Sequence, residues 1–112
     1  MTKYLISFPA AAMVVTDEEF PAVVADSHAI IEEAKKAGVY VFGGGIDDQV
    51  APVLVSSDGQ ISHDPYPGSA LNGGFAILEL PTRDDAVRWA AKIAKACRCS
   101  QELRAFGCDP AS

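Results

Sequence analysis

Two stretches of helical hydrophobic spacing, each introduced by a capping signal, set the limits on what this chain can fold into. Thr16 and Glu19 have capping-box spacing, and Pro21 suits the first turn of a helix. Phe20, Val23, Val24, Ser27, Ile30, Ile31 and Ala34 then fall on one face. Lys35 and Lys36 followed by Gly38 give the cationic last turn and the glycine stop. The second helix starts from Thr82 with Asp85, and its apolar set is Ala86, Ala90, Ile93, Ala94 and Cys97. Around these helices lie strand-like runs at 3–8, 39–42, 50–56, 75–80 and 101–106. Ser57-Asp58-Gly59 reads as a hairpin turn, and residues 62–73 form the one long polar loop.

Taken with four of these five runs as the strands of one sheet, the order β-α-β-β-α-β predicts an α+β fold on the ferredoxin-like plan, an antiparallel sheet with two helices on one face. With 112 residues there is room for a single domain, 1–112. Composition adds a constraint. The chain is 49% hydrophobic, but 18 of those residues are alanine, so the area one copy buries is limited. The strands at 39–42 and 75–80 are apolar at nearly every position, which leaves the helix-free face of the sheet in need of cover. A homodimer packed through its sheet faces is the expected solution.

Nine Lys and Arg against 15 Asp and Glu give a net charge of −6, which argues against a nucleic-acid partner. Arg88, Lys92, Lys95, Arg98 and Arg104 cluster late in the chain and read as a solvated helix face. No apolar run is long enough to cross a bilayer and no signal pattern opens the sequence, so the expectation is a soluble, cytoplasmic protein. Cys97, Cys99 and Cys108 match neither a zinc pattern nor a thioredoxin motif and are expected to be reduced thiols. No metal or cofactor is implied.

Three places could carry chemistry. His28 sits at the rim of the first helix's apolar stripe with Glu32 one turn ahead, placed either to act as a base at a cleft or to remain a surface histidine. His63-Asp64-Pro65-Tyr66 brings an imidazole, a carboxylate and a phenol together in the polar loop, with Pro65 turning the chain. Gly43-Gly44-Gly45 lacks the Lys and the following helix of a phosphate loop and reads as a strand end or bulge.

The segments together resemble the YCII-related group, in particular its DGPF-type branch of small ferredoxin-like proteins that form dimeric α/β barrels. The resemblance rests on Lys3-Tyr4-Leu5-Ile6, on Glu32-Glu33 through Ala37-Gly38-Val39, and on Ser57-Asp58-Gly59. It continues through Gly73-Gly74-Phe75, Asp84-Asp85-Ala86 to Trp89-Ala90, and Glu102-Leu103-Arg104. Where the branch carries Asp-Gly-Pro-Phe, this chain has His63-Asp64-Pro65-Tyr66, followed by Pro67-Gly68-Ser69-Ala70. The wider group carries a first-helix histidine paired with an aspartate as a catalytic dyad, and His28 resembles that histidine in location.

These readings combine into one expectation: a small organic molecule bound in a cleft between sheet, first helix and the 62–73 loop. His28 would be the base and Asp64 or His63 would orient or donate, as in a lyase or isomerase, with Tyr66, Gly44 and Ser69 contacting the ligand. The alternative is a non-enzymatic dimeric interaction or regulatory module.

Overall fold

The computed structural model describes all residues, 1–112. Strand β1 (Thr2–Phe8) leads through a short 3-10 turn at Ala10–Ala12 to helix α1 (Phe20–Lys36). Strand β2 (Tyr40–Gly45) follows, then two short strands, β3 (Leu54–Val55) and β4 (Ile61–Ser62). The chain ends through β5 (Gly74–Leu80), helix α2 (Arg83–Cys97) and β6 (Glu102–Ala105). Four strands make one antiparallel sheet in the order β2-β5-β1-β6. This α+β arrangement is compatible with the ferredoxin-like plan.

The helices begin and end where local chemistry dictates. Thr16 Oγ1 accepts from the Glu19 N–H at 3.2 Å, closing a turn just ahead of α1, and Pro21 sits in the helix's first turn. Gly38 takes a left-handed conformation (φ +75°), and the Val39 N–H reaches back to the Ala34 carbonyl at 3.1 Å. Thr82 Oγ1 accepts from the Asp85 N–H at 3.1 Å, capping α2. At the other end of α2, Arg98 rather than glycine is left-handed (φ 59°), and its guanidinium bridges to Asp26 on α1 at 2.8 Å. Most of the late basic cluster is similarly paired: Arg88 with Asp85, Lys92 with Glu33 of α1, and Arg104 with Glu102.

The core lies between sheet and helices. Tyr4, Ile6, Leu78 and Leu80 alternate along β1 and β5, so they share a face, and they meet Ala34 of α1 and Ala86 of α2. Both helices therefore cover the same side. On the opposite side Leu5 faces Ile77 across the β1–β5 pair, and Val41 and Phe42 are exposed on the edge strand. This apolar stripe is flanked by the Lys3–Glu79 ion pair at 3.1 Å and the Arg104–Glu102 pair at 3.0 Å. The helix-free face is thus mixed rather than wholly apolar.

One segment departs from expectation. The run at 50–56 is not a strand of the main sheet. Pro52 interrupts it, and only Leu54–Val55 is extended, pairing with Ile61–Ser62 in a separate two-stranded hairpin. The Ser57-Asp58-Gly59 turn does close that hairpin, with Gly59 at φ +88°. Asp58 accepts from the Ser56 hydroxyl and from the Gln60 N–H, which holds its carboxyl below the usual carboxylate range. The triple glycine, meanwhile, extends β2 to Gly45 after a register irregularity between Tyr40 and Phe42.

Candidate ligand-binding site

The apolar stripe of α1 does not pack flush against the sheet. Phe20, Val23, Val24, Ser27, Ile30, Ile31 and Ala34 all line a cavity of about 340 Å³ between the helix and the strands. That is roughly twice the volume of an engineered cavity able to hold benzene, and within the lower range of natural ligand pockets. Of its 24 lining residues, 17 are hydrophobic.

Small residues open this space. Gly43, Gly44, Gly45 and Gly74 bring bare backbone to one end of it, and Ala34, Ala76 and Ala96 shorten the walls. At Gly43 an added β-carbon would stand 2.7 Å from the Tyr40 hydroxyl, and at Gly74 it would stand 2.6 Å from the Phe8 ring. The glycines are thus the room in which those two aromatic side chains lie. Trp89 and Ile93 of α2 line the cavity from the other helix. Lys92 lies 4.7 Å from the Trp89 ring centroid and also pairs with Glu33, which fixes this wall to α1.

Polar groups on the wall are few. His28 lines the cavity while remaining exposed, which places it at the rim. Glu32 directs a carboxylate oxygen to Lys35 at 3.5 Å, so its recorded partner is that lysine rather than the histidine. Ser27 donates to the Val24 carbonyl at 3.0 Å, which occupies its proton within the helix. Gln101 and Cys97 also line the cavity. Burial pushes the Cys97 thiol upward, with the neighbouring Cys99 adding to the shift, so it stays neutral.

Of the residues singled out in the sequence, His28 and Gly44 line the cavity. His63, Asp64, Tyr66 and Ser69 do not: they are exposed on the segment between β2 and β5, and none of residues 62–73 contributes to the wall. The physical reason is that this segment leaves the sheet as its own hairpin. What sequence reasoning missed is the part played by Tyr40, Phe8 and Gly74: Gly74 lies opposite Phe8 on the paired strand, and Tyr40 lies over Gly43 of its own strand. Comparison with protein-family models and with curated proteins finds no match for this chain. No helix is long and apolar enough to cross a membrane.

Proposed function

We propose that this chain binds a small, mainly apolar organic molecule in the cavity under α1, as a cytoplasmic homodimer of the YCII-related kind. The observation that carries this reading is that the apolar stripe of α1 borders a hollow along its length, while Ala34 at its end joins the packed core. The hollow opens to solvent at the rim, so its apolar wall stays wet until a guest covers it, and covering it is favourable. A guest that suits this wall is mainly apolar with one hydrogen-bonding group at the rim, where His28 supplies the only imidazole. Acid–base chemistry of the lyase or isomerase type, if the guest is turned over, would begin at His28. The mainly apolar wall favours binding over catalysis, which supports the non-enzymatic reading as the second form of the same proposal.

The test is a thermal-shift titration with 2-naphthol, a bicycle carrying one hydroxyl, followed by a library of small aromatic and alicyclic metabolites. A guest that binds only the native state raises the apparent melting temperature with concentration. Val24→Trp, which would fill the space from α1, should abolish the shift, and His28→Ala should weaken binding about tenfold, the loss of one charged or polar contact. No shift with any compound, or shifts unaffected by both substitutions, would remove the cavity as a binding site.

A further inference from the structure

The segment joining β2 to β5 is an arm. From residue 46 to residue 72 every position is exposed except Leu54, which is half-buried. Its apolar side chains include Val50, Val53, Val55, Ile61, Tyr66 and Leu71, each at least 50% exposed. Yet the arm is ordered at its root. The Ala10 N–H donates to the Asn72 side-chain oxygen at 2.8 Å, and the Ile46 N–H donates to the Gly73 carbonyl at 2.8 Å. A lone two-stranded hairpin is marginal in water, so this one needs a surface to lie on.

We propose that the arm is a clasp that lies on the body of a second copy of this chain. The area supports that occupant. The chain exposes 7888 Å², whereas a compact monomer of its mass exposes about 5,900 Å². The surplus of about 2,000 Å² comfortably covers the roughly 800 Å² that each partner gives to a standard interface. The radius of gyration, 15.9 Å, likewise exceeds the approximately 13 Å of a compact domain of this length. Charge indicates where the clasp lies. Residues 46–73 carry Asp47, Asp48, Asp58 and Asp64 and no Lys or Arg. Two all-acidic arms laid together would repel, so each meets the partner's body, which holds all nine Lys and Arg beside eleven Asp and Glu.

The inference rests on the homodimer of the preceding reading and adds its means of closure. It is tested on the full chain by sedimentation equilibrium of the wild type and of Val55→Glu/Ile61→Lys. Val55 and Ile61 are cross-strand partners in the hairpin and are 59% and 64% exposed. The paired charges keep an attractive cross-strand contact while removing the apolar surface. The expected result is a wild-type dimer at micromolar concentration and at least a tenfold weaker dimer for the variant, with an unchanged far-UV circular dichroism spectrum. A monomeric wild type overturns both the clasp and the homodimer. A variant that dimerises as tightly as wild type overturns the clasp alone and leaves the sheet faces as the interface. Should the variant lose its structure, hydrogen exchange of the wild type decides: amides of 46–72 must gain protection as concentration rises through the association range, and constant exchange refutes the clasp.

Discussion

The Tyr40 hydroxyl occupies the space that a side chain at Gly43 would need, 2.7 Å from the position of the missing β-carbon. Both residues are on β2, three positions apart across a register irregularity, and both line the cavity under α1. The irregularity breaks the simple alternation of a strand, so two residues of odd spacing come to serve one face.

This relationship predicts coupling. Gly43→Ala should cost about 1–3 kcal/mol in the wild type, the usual range for overpacking. In a Tyr40→Phe background the oxygen in the way is gone, and the cost should fall by about 1 kcal/mol or more. Urea denaturation of the four proteins of the cycle measures this; additive effects would mean that the two side chains do not share the space.

Gly73 should tolerate no side chain. Its φ is +90°, and an added β-carbon would collide with the Phe8 carbonyl oxygen and lie 2.8 Å from the Ala10 nitrogen. Those are backbone atoms and cannot turn aside. Gly73→Ala should therefore destabilise by about 3 kcal/mol or more, against about 1 kcal/mol for Asn72→Ala, which removes one hydrogen bond at the same root. Equal effects in chemical denaturation would contradict the geometry.

Arg98 poses two opposed contributions. Its left-handed backbone costs about 1 kcal/mol in any residue but glycine, while its exposed ion pair with Asp26 is worth less than about 1 kcal/mol. Arg98→Gly should accordingly be near neutral and Arg98→Ala destabilising, with glycine the better replacement by about 1 kcal/mol. Thermal melts of the two variants, compared with wild type, give the order.

The cysteines should label in order of burial. All three are free; Cys108 is exposed, Cys99 half-buried and Cys97 buried. Burial raises both the Cys97 and the Cys99 thiol above the ordinary value. The nucleophile is the thiolate, whose share grows only as pH rises through the raised value. Iodoacetamide at pH 8 should modify Cys108 first and Cys97 last, read by peptide mass spectrometry. Cys97 labelling should accelerate at higher pH and slow when 2-naphthol fills the cavity it lines.

How far the sequence revealed this molecule depends on which interactions decide each part. The helices were legible because their signals are local: Thr16 with Glu19, Thr82 with Asp85, and Gly38 after two lysines act within one or two turns. The stripe from Phe20 to Ala34 was legible for the same reason, as was His28 at its edge. The run at 50–56 was misread because its β-branched residues carry strand propensity whichever sheet they join, and only Pro52 hinted that the main sheet would exclude them. His63 and Asp64 looked like partners for His28 because a loop's path is set by its root, here Asn72 and Gly73 against Ala10 and Phe8. Those contacts join residues more than sixty positions apart, and no window of sequence displays them.

The placement of β1 has a consequence for synthesis. Its two neighbours in the sheet are β5 and β6, with Ile6 opposite Ala76 on one side and Leu103 on the other. A chain leaving the ribosome thus holds its first strand, with Tyr4 and Ile6 uncovered, through the making of both α1 and the whole arm. Local helices form in about a microsecond, whereas translation adds 5–20 residues per second. For several seconds the nascent chain is a helix and an unmatched apolar strand, the state in which a passing strand edge or a chaperone would find it most receptive.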